Sequence, residues 1–141
     1  MAAKPENTFI ASVHRHLPPL SELYRLKNHN EYNAGVADCW YSGVNDLWVE
    51  YKFLIVPKRA STMIDLVGGK NPPLSPLQQD WLTSRHREGR NVWVIVGCKE
   101  GGVVFDDMTW EQPVTAEGFR NRLRTRAEVA DEILSFLLTT S

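Results

Sequence analysis

The sequence predicts an α/β domain with a central mixed β-sheet flanked by helices, its core elements in the order α-β-β-β-α-β, and three observations predict it. Two strand-like runs between Gly35 and Val56 meet at Ser42-Gly43-Val44-Asn45, the signature of a hairpin. Val92-Trp93-Val94-Ile95-Val96 is apolar without interruption, the pattern of a strand covered on both faces. Ser75-Pro76-Leu77-Gln78 and Thr125-Arg126-Ala127-Glu128 each open a helix, with a hydroxyl N-cap and a Gln or Glu three residues on.

The elements follow in order. Pro5 suits a first helical position, and Phe9, Ile10, Val13 and Leu17 recur at helical spacing until Pro18-Pro19 stops the pattern. Glu6 shares the face of Ile10 and Val13, which aims its carboxylate at the core or at a site on its rim. A short strand is expected at Leu23 to Leu26, then a polar loop, Lys27-Asn28-His29-Asn30-Glu31. The hairpin strands are Gly35 to Tyr41 and Asp46 to Val56, the second ended by Pro57. Ala60 to Pro73, with Gly68-Gly69 and Pro72-Pro73, reads as a loop. A helix runs from Pro76 to about Glu88 with Gly89 at its C-terminal cap, then strands at Asn91 to Cys98 and Val103 to Phe105. Helices from Thr115 and Thr125 complete the chain. Helix, hairpin, helix, two strands and helices make an α/β or α+β domain.

At 141 residues the chain fits one domain, 1–141, with a helical extension at about 115–139, and it can bury a core without disulfides. Cys39 and Cys98 each lie in an apolar run, which favours buried thiols over redox or zinc chemistry. The absence of a signal-peptide pattern or a bilayer-length apolar run leads to the expectation of an intracellular protein and no membrane partner. With a net charge of -1, attraction to nucleic acid must come from local patches: Lys58-Arg59, Arg85-His86-Arg87 with Arg90, and the series Arg120, Arg122, Arg124, Arg126.

The chemistry lies in the hairpin. Side chains alternate across a strand, so Trp48, Glu50 and Lys52 share one face while Val49, Tyr51 and Phe53 take the other. Antiparallel pairing through the turn brings Asp38 toward Glu50. Converging carboxylates repel unless a cation lies between them, and a hard divalent ion bound through oxygen, magnesium rather than zinc, suits this donor set. Lys52 could then orient or deprotonate an attacking water, or hold charge developing on a phosphoryl oxygen. Charges of this kind also protect edge strands, so the pattern alone leaves a structural role open. His14 and His16 face different directions and read as surface residues, Asp106-Asp107 as a turn, and Trp48 and Trp81 as core.

The set Glu6, Asp38 and Glu50-Tyr51-Lys52, followed by Leu74 to Leu82 and by Gly89 to Val96, resembles the PD-(D/E)XK nuclease superfamily, more narrowly its small phage endonucleases and its Holliday-junction-resolvase-like branch. The match spans about Glu6 to Gly97. The resemblance implies a restriction-endonuclease-like core in which Asp38, Glu50 and the Tyr51 backbone carbonyl hold Mg2+, with Mn2+ able to substitute. It makes Lys52 the catalytic lysine, Glu6 an acid assisting the metal or its water, and Gln78 a helix residue near the site, although a capping box alone accounts for Gln78. Ala37 stands where the family has proline, a position that does no chemistry. The implied activity is that of a metal-dependent DNA endonuclease, phage-type and site-specific in a homing-like manner. Alternatives are a Holliday-junction or branched-DNA resolvase and a catalytically inactive nucleic-acid-binding module. DNA contacts are expected from Lys58, Arg59, Lys70, Arg85 and Arg87, and the working form is a homodimer or higher homo-oligomer.

Overall fold

Seven consecutive residues with no exposed side chain, Val92–Cys98 (β5), mark the middle of the molecule. The computed structural model describes residues 4–28 and 35–140, so the part of the polar loop from His29 to Glu31 lies outside the described residues. Around β5 a five-stranded sheet has the order β1-β2-β3-β5-β6, with β1 at Arg25–Lys27, β2 at Cys39–Tyr41, β3 at Leu47–Phe53 and β6 at Gly101–Asp106. The pair β3 and β5 is parallel and every other neighbouring pair is antiparallel. The mixed sheet follows from connection length: short turns join the antiparallel pairs β2–β3 and β5–β6, whereas β3 reaches its parallel neighbour β5 through the crossover helix α2, Pro76–Arg87.

Each face of the sheet has its own core. Leu47, Val49 and Tyr51 of β3 pack against Phe9, Ile10 and Val13 of α1, Pro5–His14, and against Val129, Ile133 and Leu137 of α4, Arg126–Leu138. The C-terminal helix is thus built into this layer beside α1. Val92, Val94 and Val96 on the opposite face meet Leu82 of α2, Trp110, and Phe119 of α3, Ala116–Asn121. Phe9 lies over two glycines: a Cβ on Gly97 would come within 2.5 Å of its ring and one on Gly102 within 2.7 Å. The bare strand surface there is what lets α1 approach the sheet.

Both expected capping boxes form. Ser75 accepts from the Gln78 N–H and Thr125 from the Glu128 N–H, with the reciprocal side-chain bonds present in each. Gly89, at φ 82°, closes α2 in the left-handed region that glycine enters without strain. The first strand comes slightly later than the Leu23 to Leu26 expected. The strand expected from Gly35 is shorter: pairing begins only at Cys39, because the Asp38 side chain, not its backbone, takes the Tyr51 N–H. The Ala60 to Pro73 segment holds an element that pattern does not reveal, Met63–Ile64 (β4), paired antiparallel with Val114–Thr115 (β7) in a separate ribbon. Leu66 and Leu74 are buried beneath it and Gln79 donates to the Leu74 carbonyl at 2.8 Å, so the segment is anchored.

One side-chain expectation is corrected. His14 is not a surface residue: its Nε2 lies 2.7 Å from the Tyr41 hydroxyl, which lies 2.6 Å from the Tyr51 hydroxyl within the core. In the arginine series Arg120, Arg122 and Arg124 are exposed, and Arg120, Arg122 and Arg126 each donate to a backbone carbonyl, of Pro57, Val104 and Cys98 respectively. Cys39 and Cys98 are buried free thiols. No helix among the described residues is long and apolar enough to cross a membrane.

Candidate active site

Three elements converge where β2 begins. Asp38 stands one residue before that strand and its Oδ2 accepts the Tyr51 N–H of β3 at 2.8 Å. Glu50 and Lys52 lie on the opposite face of β3 from Tyr51, with Lys52 Nζ 3.4 Å from Glu50 Oε2. From α2, Gln78 Nε2 donates to the same Oε2 at 3.0 Å while Gln78 Oε1 accepts the Ser75 N–H at 2.9 Å. The capping box and the contact with the acid are one arrangement: the cap fixes the amide so that its free NH2 faces Glu50. Glu6, in the first turn of α1, is partly buried within electrostatic reach of Asp38 and Lys52.

Glu50 is the anomaly. It is 1% exposed, and its Oε1 is buried with no hydrogen-bond partner among the described residues. Burial, then the Asp38 charge, push its pKa from 4.5 up to about 9 against the pull of Lys52. Asp38 is raised as well, chiefly by burial, although the Tyr51 N–H and Lys52 oppose this. Glu6 is raised by burial and by Asp38. Native proteins rarely leave a carboxylate oxygen buried and unpartnered, because desolvation without a compensating contact costs several kcal/mol.

A divalent cation fits these residues. The donors are oxygens, two carboxyls face one site, and one oxygen lacks a partner. Because Tyr51 directs its N–H to Asp38, its carbonyl points to the same edge of the strand, past the end of β2. Among the described residues no group of three or more His, Cys, Asp or Glu side chains is arranged to hold a metal ion by itself.

The remaining expected positions fall elsewhere. Lys58, Arg59 and Lys70 are exposed on the loops that follow β3 and flank β4. Arg85 and Arg87 occupy the last turn of α2, ~10–14 Å along its axis from Gln78. Arg85 lies over the Trp81 ring, 5.6 Å from its centroid, with Nε 2.9 Å from Glu88; Arg87 is exposed. Unforeseen in the sequence is Lys27, whose Nζ donates to Asn7 at 2.9 Å and whose charge reaches Glu6 and Asp38. Trp40 beside Asp38 was unforeseen too; the register Leu26–Trp40–Trp48 was its only signal, and that needs the pairing of three strands.

A solved structure shares this arrangement of elements. Hjc, a Holliday junction resolvase from the archaeal hyperthermophile Archaeoglobus fulgidus, matches with a TM-score of 0.51 over 90% of this chain and 96% of its own, at 14% sequence identity. The fold is restriction-endonuclease-like. No family model and no curated protein matches the chain, so the likeness is one of architecture. In this restriction-endonuclease-like fold the two charged residues of β3 and the acid ahead of β2 lie at the end of the central parallel pair, with α2 closing one side.

Proposed function

We propose that the chain is a divalent-cation-dependent nuclease of the PD-(D/E)XK superfamily that hydrolyses DNA phosphodiesters, acting on branched DNA. The observation that carries this reading is the buried Glu50 carboxyl within electrostatic reach of Asp38, its Oε1 without a hydrogen-bond partner among the described residues and its Oε2 3.4 Å from Lys52 and 3.0 Å from Gln78. Asp38, Glu50 and the Tyr51 carbonyl would hold Mg2+, with Mn2+ as a substitute. When bound, such an ion supplies Lewis-acid polarisation of a phosphoryl oxygen and lowers the pKa of a water.

The chain's own residues then have separable tasks. Gln78 fixes Glu50 Oε2 through a helix cap that cannot rotate without breaking, so the carboxylate is oriented before substrate arrives. Lys52, a half-buried ammonium beside Glu50, stabilises charge developing on the phosphate or takes up the proton of the attacking water. Glu6 accepts a proton or hydrogen bond at the rim, its raised pKa suiting an acid–base role. The surface lysines and arginines Lys58, Arg59, Lys70, Arg85 and Arg87 would hold phosphates and add no sequence information.

For the substrate, the junction reading has the fold of a Holliday junction resolvase behind it, and the phage-type, site-specific reading has the sequence resemblance alone. A homodimer is the working form we propose, since a two-fold axis matches two strands to be cut. The test is a cleavage gel with linear duplex, single-stranded and four-way-junction DNA in Mg2+ or EDTA, with Glu50→Ala as control. Metal-dependent cutting that favours the junction and vanishes in the variant is expected. Absence of cleavage on every DNA would leave the inactive nucleic-acid-binding module as the reading.

A further inference from the structure

Among the described residues, nothing covers one face of the sheet next to Asp38. Leu26, Trp40 and Trp48 are cross-strand neighbours on β1, β2 and β3. Helix α2 covers the sheet only as far as Trp48, which Trp81 meets edge-on at 5.1 Å. Tyr24 and Trp40 meet at 5.9 Å, Trp40 and Trp48 at 6.3 Å, and Tyr24 and Leu26 are each 53% exposed. A cavity of about 430 Å³ opens between the two tryptophans and Lys27, Ala37 and Asp38. On their other side a groove of about 620 Å³ is lined by Arg85 and Arg90 together with Asp46 and Glu88, the last paired with Arg85. Arg90 makes no ion pair among the described residues. Trp40 and Trp48 therefore form an aromatic ridge between the candidate catalytic carboxylate, with Lys27 on that side, and a groove in which Arg90 is the cation outside an ion pair among the described residues.

We propose that this ridge is a stacking site for unpaired nucleobases of the strand whose phosphate enters the Asp38 site, an inference that rests on the nuclease reading. Aromatic faces bordered by cations are what single-stranded DNA requires, since every base has a π-face and every linkage a charge. The cavity is of the size that encloses small ligands. A base inside a duplex has both faces covered by its neighbours, so only an unstacked base can enter. A second copy of the chain is disfavoured as occupant because Asp38 forms part of the cavity wall: protein packed there would shut the carboxylate from substrate, whereas a base brings its own phosphate to it. Selection then follows DNA structure, with strands opened at a branch or end preferred over continuous duplex, and without reading sequence.

The experiment measures binding without cleavage, on the full chain carrying Lys52→Ala. Fluorescence anisotropy compares a single-stranded oligonucleotide, a branched DNA with 2-aminopurine at an unpaired position, and a continuous duplex. The expected result is that Trp40→Ala weakens binding to the first two about five- to a hundredfold and abolishes the 2-aminopurine quench, while duplex binding stays within about twofold. Equal binding of all three DNAs by the Trp40→Ala protein and its parent overturns the proposal, as does equal loss on all three with an unchanged melting temperature. Sedimentation of Leu26→Glu and Trp40→Ala provides a further check: conversion of a dimer to a monomer would assign the face to contact between copies and overturn the stacking site. The nuclease reading fails separately, by absence of metal-dependent cleavage in the wild type, an outcome these binding measurements do not touch.

Discussion

Without a cation, Glu50 works against the fold, and the deficit can be measured. The unfolded chain ionises Glu50 near 4.5, whereas burial and the neighbouring Asp38 charge keep it protonated in the folded state up to about pH 9. Across that window the folded state binds the extra proton, so stability falls as pH rises, by ~1.36 kcal/mol per pH unit. At pH 7.5 the deficit reaches ~4 kcal/mol as a ceiling, and relaxation around the carboxylate brings it to ~2–4 kcal/mol. Glu50→Gln keeps the shape and an acceptor for Gln78 but cannot ionise. In EDTA at pH 7.5 it should melt about 5–15 °C above wild type, and the gap should close toward pH 5. Magnesium should raise the melting temperature of the wild type and leave that of Glu50→Gln unmoved, because only the wild type gains a partner for its buried oxygen. The assay is a series of thermal melts from pH 5 to 9 with and without Mg2+. A Glu50→Gln protein less stable than wild type at pH 7.5 in EDTA, or a gap that does not change with pH, would refute the reasoning.

Four further outcomes follow from the same geometry. Lys52→Ala should lower the cleavage rate by about 10²–10⁴ while leaving DNA affinity within a few fold, read by single-turnover kinetics and anisotropy. Gln78→Ala should cost ~1 kcal/mol of stability and reduce cleavage, whereas Gln78→Glu should restore the cap but not the activity, since it sets a carboxylate against Glu50. Gly97→Ala should cost ~1–3 kcal/mol in denaturant unfolding, because the new Cβ meets the Phe9 ring and pushes α1, with Glu6, off the sheet. His14, lowered to about 4 by burial and then by Arg25 and Lys27, binds fewer protons folded than unfolded; stability should therefore be lost as pH falls from 6.5 toward 4, by up to ~3 kcal/mol. A His14→Gln protein should lack that loss in acid melts.

The fold was legible where its causes are local. A cap is a bond between residues three apart, and both boxes stand where the hydroxyl and the Gln or Glu announce them. The continuous apolar run of β5 marked a strand with no exposed face. The ribbon of β4 and β7 was not legible, since each strand is two residues long and its partner lies some fifty residues away, too little for any periodicity to register. The start of β2 was misread for a chemical reason: Asp38 stands where apolar alternation would extend the strand, but its side chain displaces the ladder bond that extension needs.

Within the site the same division decides what a sequence can disclose. Glu50 and Lys52 were readable because strand alternation is short-range and a charge in an apolar strand demands an account. Gln78 was readable only as one of two things, a cap or a contact of the site; the structure makes it both, because the cap uses Oε1 and leaves Nε2 to Glu50. The arginines from Arg120 to Arg126 could be read as charges but not as contacts: three of them are exposed, and three donate to carbonyls of strands and loops far away in sequence. Trp48 and Trp81, expected in the core, are partly buried and pack against the core cluster of their face. Large apolar side chains are usually covered, but whether Trp48 is covered depends on how far α2 extends over a sheet whose register spans three strands. Chemistry set by neighbours in sequence can be read from the chain; a surface made by what fails to cover it cannot, and it is on such a surface, beside Asp38, that substrate selection is proposed to reside.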